Sequence, residues 1–162
     1  MDIKAIVYTS ETGHTARYAA LLSQETGLPA VAMSKADLPK GTPVIYMGWL
    51  MASHVKALTK ARRKFEVKAV CGVGLCPTGE LLKEIRAAEK LENEMPLFTL
   101  QGGMDHARLK GINKFMIRML IKMLSRKKDP TPEDAAQLEL IKKGGDYVSP
   151  EHLSAVLKWY NE

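Results

Sequence analysis

Residues Ile6-Val7-Tyr8-Thr9-Ser10-Glu11-Thr12-Gly13-His14-Thr15 run from an apolar strand, through hydroxyls gathered round one glycine, straight into a helix. A turn of this kind holds a phosphate without metal and without lysine. Ser10, Thr12 and Thr15 bring hydroxyl donors. Gly13 lets the backbone come close to an anion where a Cβ would stand in the way. The first amides of the following helix have no internal partner, and the helix dipole adds positive potential there. A Ser/Thr-rich turn that merely caps a helix is the plainer alternative. No Gly-Lys-Ser/Thr follows, so this is not a Walker loop, and the dinucleotide fingerprint is also absent.

The order of elements working outward from this turn is that of an α/β protein. Ile3 to Tyr8 reads as a buried parallel strand. Gly13 to Glu25 reads as a helix with Ala16, Ala19, Leu21 and Leu22 on its packed side, stopped by Gly27. Short apolar strands follow at 29–33, 43–47, 67–73 and 96–100. Helices are expected at 53–65 and 78–91, the second capped by Thr78. Segment 34–41 is too short and proline-broken for a full crossover helix. Five strands alternating with helices predict a doubly wound parallel sheet of order 2-1-3-4-5. A ligand then sits at the carboxyl ends of the strands, between strands one and three, where the Ser/Thr/Gly turn falls.

Three helices follow residue 103. The first covers 107–128. The second opens at Thr131-Pro132-Glu133-Asp134, with threonine at N-cap and proline at N1, and ends at Gly144-Gly145. Ser149-Pro150-Glu151 starts the last. The chain reads as a single domain over 1–162, a five-stranded core over 1–103 and a C-terminal helical segment over 104–162.

Composition bounds the function classes. At 162 residues, 46% hydrophobic and 26% charged, the chain suits one globular domain. Two cysteines cannot form a disulfide framework, and a strand begins almost at once, so a cytoplasmic setting is expected. The net charge is +6, but eight of the 24 Lys and Arg residues and none of the 18 acids lie in 107–128, leaving 16 against 18 elsewhere. Nucleic acid suits such a patch, yet no DNA- or RNA-binding motif accompanies it, so none is expected as a partner. No metal site is expected.

The spacing Ser10-x-Thr12-Gly13-x-Thr15 after an apolar strand, with Ala19 four residues on, resembles the phosphate loop of the flavodoxin family. The resemblance implies a flavodoxin-like fold binding FMN, with Thr9, Ser10, Glu11, Thr12, Gly13, His14 and Thr15 round the phosphate. It implies that two further loops at the same sheet edge frame the flavin ring. One is Gly48-Trp49-Leu50-Met51-Ala52, where Trp49 offers a stacking surface and Gly48 a close backbone approach. The other is Gly74-Leu75-Cys76-Pro77-Thr78-Gly79, where many flavodoxins carry a stacking tyrosine and this chain has Leu75 and Cys76. Cys71 falls in a strand and reads as a core residue; Cys76, ahead of a helix, is placed where a thiolate is favoured. His54 and His106 are candidates for proton donation or for capping, and Asp105 for capping the next helix.

In 107–128, Lys110, Lys114, Arg118 and Lys122 drift across one side and Ile112, Phe115, Met116, Met119, Leu120 and Met123 cover the other. This is either a packed helix with a solvated basic stripe or a docking surface for an acidic partner or anionic membrane. Gly102-Gly103-x-Asp105, the basic methionine-containing helix and the Thr-Pro-Glu-Asp start together look similar to flavodoxin-domain proteins related to menaquinone-dependent protoporphyrinogen dehydrogenase. The functional expectation is an FMN electron carrier working with an acidic-surfaced redox partner or a quinone-like substrate. The alternatives are a membrane-surface flavin oxidoreductase of the quinone or protoporphyrinogen type, and a flavin-free binding or regulatory module.

Overall fold

The computed structural model describes residues 2–162. A mainly parallel sheet forms the centre of an α/β fold. Strand β1 (Ala5–Thr9) pairs with β2 (Ala30–Ala32) on one side and β3 (Pro43–Met51) on the other. Beyond β3 come β5 (Glu66–Gly74) and β6 (Leu97–Gln101). The spatial order is β2-β1-β3-β5-β6 in a sheet of six strands, which departs from the expected count of five and the order 2-1-3-4-5. The sixth strand, β4 (His54–Val55), folds back antiparallel on Leu50 and Met51. The cause is local. The apolar run continues past Met47 through Trp49-Leu50-Met51, and Ala52 and Ser53 both take positive φ, of 48° and 63°, which suits a two-residue hairpin turn.

The alternation of side chains along β3 shows why both sheet faces are covered. Val44 and Tyr46 join one core, with Val7, Val70, and Leu58, Phe65 and Ile85 from or next to α2 (Leu58–Lys64) and α3 (Leu82–Ala88). Ile45 and Met47 join the other, with Tyr18, Ala19 and Leu22 of α1 (His14–Thr26) and Val156 of α6 (Ser154–Asn161). Tyr18 ties that side together. Its hydroxyl donates to Gln101 O at 2.5 Å and lies 2.6 Å from His152 Nδ1, in the 3-10 turn ahead of α6. The chain end therefore returns to the sheet beside α1. Between β2 and β3 no helix forms, and Met33, Ala36 and Leu38 line the core as an irregular crossover.

Two helices are shorter than their sequence suggests. Residues 54–55 are taken by β4, so α2 begins only at Leu58. Thr78 does not cap α3: its Oγ1 accepts from Gln101 N at 2.9 Å, while Gly79 N donates to Thr99 Oγ1 at 2.9 Å. Segment 75–80 is thereby stitched to β6 and the helix starts at Leu82. The basic segment opens with a 3-10 turn, His106–Arg108, before α4 (Gly111–Ser125). α5 (Pro132–Lys143) begins with Thr131 and Asp134 bonding reciprocally to each other's backbone amides, and Gly144 ends it. The α4–α5 hairpin stands on the carboxyl edge of the sheet. There Leu109, Ile117 and Ile141 close over Met51, Leu75 and Met104. Two-residue strands β7 (Gly103–Met104) and β8 (Gly145–Asp146) pair antiparallel at its base. Among the described residues no helix is long and apolar enough to cross a membrane.

Candidate functional site

The turn after β1 has the geometry of an anion cradle. Gly13 precedes α1 with φ 102°. The amides of Thr12, Gly13, His14 and Thr15 donate to no protein group, as expected at the start of a helix. Ser10 Oγ accepts from Ala16 N at 3.3 Å and so pins the turn to the helix. Thr12 Oγ1 lies 2.9 Å from His14 Nδ1. Thr9 takes no part: its hydroxyl meets Tyr46 Oη at 2.8 Å, and Tyr46 donates to Lys56 O at 2.6 Å. Burial pushes the Tyr46 phenol up to about 12, so this chain stays neutral.

Arg108 roofs the cradle. Its Nη1 donates to Thr12 O at 3.1 Å and would lie 2.8 Å from a Cβ placed on Gly13. The glycine is thus required both by its φ and by the guanidinium packed on it. Two clefts flank this contact. One, of about 540 Å³, runs past Thr12, Gly13, His14, Arg17, Asp105, His106, Lys143 and Asp146. The other, of about 590 Å³, runs past Ser10, Glu11, Gly13, Ala16, Arg108 and Lys110. The first carries Arg17, Arg108 and Lys143 against Asp105 and Asp146, and the second Arg108 and Lys110 against Glu11. Both are therefore cationic by one charge.

The two acids of the first cleft are already engaged. Asp146 Oδ2 accepts from Arg17 Nη1 at 2.5 Å, and that bond holds its carboxyl below the usual range. Asp105 Oδ1 accepts from Ala107 N at 3.0 Å, the capping role read from the sequence. His106 Nε2 meets Ile141 O at 2.7 Å, which joins the 3-10 turn to α5. His14 is 8% exposed, packed against Gly102 and Gly103 with Nε2 3.9 Å from Asp146 Oδ1. Burial, the largest influence, lowers its pKa below 6.5, so its ring is neutral at pH 7. The fixed positive charge over the turn comes from Arg108.

The two expected ring-framing loops sit differently. Gly48, Trp49, Leu50 and Met51 belong to β3, not to a loop, and Ala52 forms the hairpin turn. Gly48 is buried, and a Cβ there would stand 2.7 Å from Lys56 O. Leu50 fills the space above Gly72 and Gly74, where added Cβ atoms would fall 2.8 and 3.1 Å from it. Gly74 thus serves side-chain packing. Trp49 stays partly open, with Lys56 Nζ 5.4 Å from its ring. Met51 and Leu75 meet the α4–α5 cluster, and Thr78 and Gly79 bond to β6. None of these residues lines either cleft. Cys76 is not poised as a thiolate: desolvation first, then Glu80, raises its pKa, and the helix dipole begins only at Leu82. Cys71 is fully buried, its thiol pushed up to about 12, consistent with a core role.

Arg17, Arg108, Lys110, Lys143 and Asp146 are the site residues that sequence reasoning missed. Arg108 and Lys110 carried a signal as members of the basic run, although nothing local directed them at Gly13. Among the described residues no group of three or more His, Cys, Asp and Glu side chains converges as a metal site. Comparison of the chain with protein-family models, with curated proteins and with solved structures found no match.

Proposed function

We propose that the chain is a flavodoxin-like protein that binds FMN and carries electrons, the phosphate lying on the Ser10–Thr15 turn. The observation that carries this reading is the run of unpartnered amides from Thr12 to Thr15, at the point where β2 and β3 leave β1 on opposite sides, beneath the Arg108 guanidinium. The residues present suit the phosphate end. The amides and Thr12 supply donors, Gly13 supplies room, and Arg108 supplies a bidentate cation in place of a lysine. Ser10 holds the turn in shape through Ala16. Toward the ring, Trp49 contributes a partly open aromatic surface and Met51 and Leu75 an apolar one. Bound flavin would supply the electron chemistry; the protein orients it and sets its surroundings. An acidic redox partner suits the +6 charge.

The test is titration of the purified protein with FMN and with riboflavin, followed by flavin absorption and fluorescence. FMN is expected to bind with a perturbed spectrum and riboflavin far more weakly. Arg108→Gln is expected to weaken FMN binding roughly tenfold while leaving riboflavin unchanged, because only the phosphate loses a charge-assisted bond. A protein that takes up no FMN would overturn the proposal. One arrangement favours a flavin-free anion-binding module: Arg108 rests on Gly13 and Leu50 fills the gap beside Gly74, which leaves no ready-made slot between the ring loops. Tight binding of inorganic phosphate with no uptake of either flavin would select that module.

A further inference from the structure

Helix α4 leaves an apolar stripe without a partner. Ile112, Phe115, Met116, Met119 and Met123 expose 44–71% of their surfaces, while Ile117, Leu120, Ile121 and Leu124 face the cluster over Met51 and Leu75. At 100° per residue the exposed set spans about 100° of the helix; Lys122 stands about 20° beyond Phe115, Arg118 about 60° and Lys114 about 100°, so the cations begin at one border of the stripe and wind away from it. With the apolar stripe laid on a surface, Lys122 and Arg118 flank it and their long side chains reach back toward that surface, while Lys114 stands farther round. Segment 107–128 has eight cations and no acid.

We propose that this face of α4 lies in the headgroup region of an anionic lipid bilayer, parallel to its plane. A helix with a charged ridge beside large exposed apolar side chains has the make-up of an interfacial segment. Apolar burial and attraction to anionic headgroups act together there. The charge distribution argues against a second copy of the chain as the occupant, since that would bring the Lys114, Arg118 and Lys122 rows of both copies together with no acid in 107–128 to receive them. Length argues against spanning: 15 residues of helix rise about 22 Å, short of the roughly 30 Å hydrocarbon core. Docked in this way, the phosphate turn and its Arg108 stand at the base of the membrane-facing hairpin, because Arg108 lies three residues before α4. The inference does not depend on FMN binding.

The experiment is co-sedimentation of the full chain with vesicles of equal parts phosphatidylglycerol and phosphatidylcholine, and with phosphatidylcholine alone. Binding to the anionic vesicles is expected, reduced by added salt. Lys114→Gln/Arg118→Gln/Lys122→Gln should weaken it on the order of a hundredfold. Phe115→Ser/Met119→Ser/Met123→Ser should weaken it as well, and these positions are exposed, so circular dichroism should show both variants folded. Failure of the unmodified chain to bind anionic vesicles at low salt overturns the proposal. So does binding that the serine variant leaves unchanged, because the apolar row would then have no role. A protein dimer that the serine variant dissociates would also overturn it, by assigning the face to self-association.

Discussion

At the scale of single residues, the site depends on one backbone conformation and one guanidinium. Gly13→Ala places a Cβ at φ 102° and 2.8 Å from Arg108 Nη1. The left-handed backbone alone should cost about 1–2 kcal/mol of stability. The displaced arginine should weaken FMN binding as well, read by a urea unfolding curve and a flavin titration on the same sample. His14 sets a pH dependence. Its folded pKa lies below 6.5 chiefly because it is buried. The unfolded chain takes up a proton as pH falls through about 6.5, and the folded chain resists until its lower pKa is reached. Stability should therefore fall as pH drops through about 6.5 toward the lower folded-state pKa. His14→Gln should flatten that part of the profile, which urea midpoints at several pH values would show. Asp146 acts in a different range. Its lowered pKa contributes stability that is lost only as pH falls below the ordinary carboxylate value of 3.8.

At the scale of elements, the small β7–β8 pair governs the site more than its length suggests. It closes the loop that carries Asp105, His106 and Arg108, and Asp146 on β8 holds Arg17. Gly103 has φ 139°, and a Cβ there would sit 2.0 Å from Gly145 O, a backbone atom that cannot turn aside. Gly103→Ala should part the two strands at a cost of at least about 1–3 kcal/mol. It should also lower FMN affinity although Gly103 lines neither cleft; the paired readouts are the urea midpoint and the flavin titration. α1 and α5 were legible in the sequence because their start and stop signals are local: Gly27 bonds back to Ser23 O, and Thr131 and Asp134 bond to each other's amides. α2 and α3 were overestimated at their starts because tertiary partners claimed those residues. His54 and Val55 pair with β3, and Thr78 bonds to β6.

At the scale of the whole molecule, charge is the property with a functional consequence. Acidic flavodoxins repel electrons from their flavin, whereas this chain carries +6, with Arg108 on the Gly13 turn and the basic run beginning there. The reduction potential of bound flavin is expected to be less negative than in an acidic flavodoxin, and to shift with salt. A redox titration giving an equal or lower potential would reject this. Periodicity, caps and glycine positions were enough to specify the α/β alternation, the glycine turn between β1 and α1 and the amphipathic character of α4, because each depends on neighbours a few residues away. The convergence of Arg17, Arg108, Lys143 and Asp146 on one cleft, the packing of Leu50 over Gly72 and Gly74, and the return of α6 to the sheet were decided by folding alone. Those contacts join residues far apart in the chain, 129 positions for Arg17 and Asp146 and 134 for Tyr18 and His152, and they form because burying both sheet faces leaves the α4–α5 hairpin only the carboxyl edge to stand on.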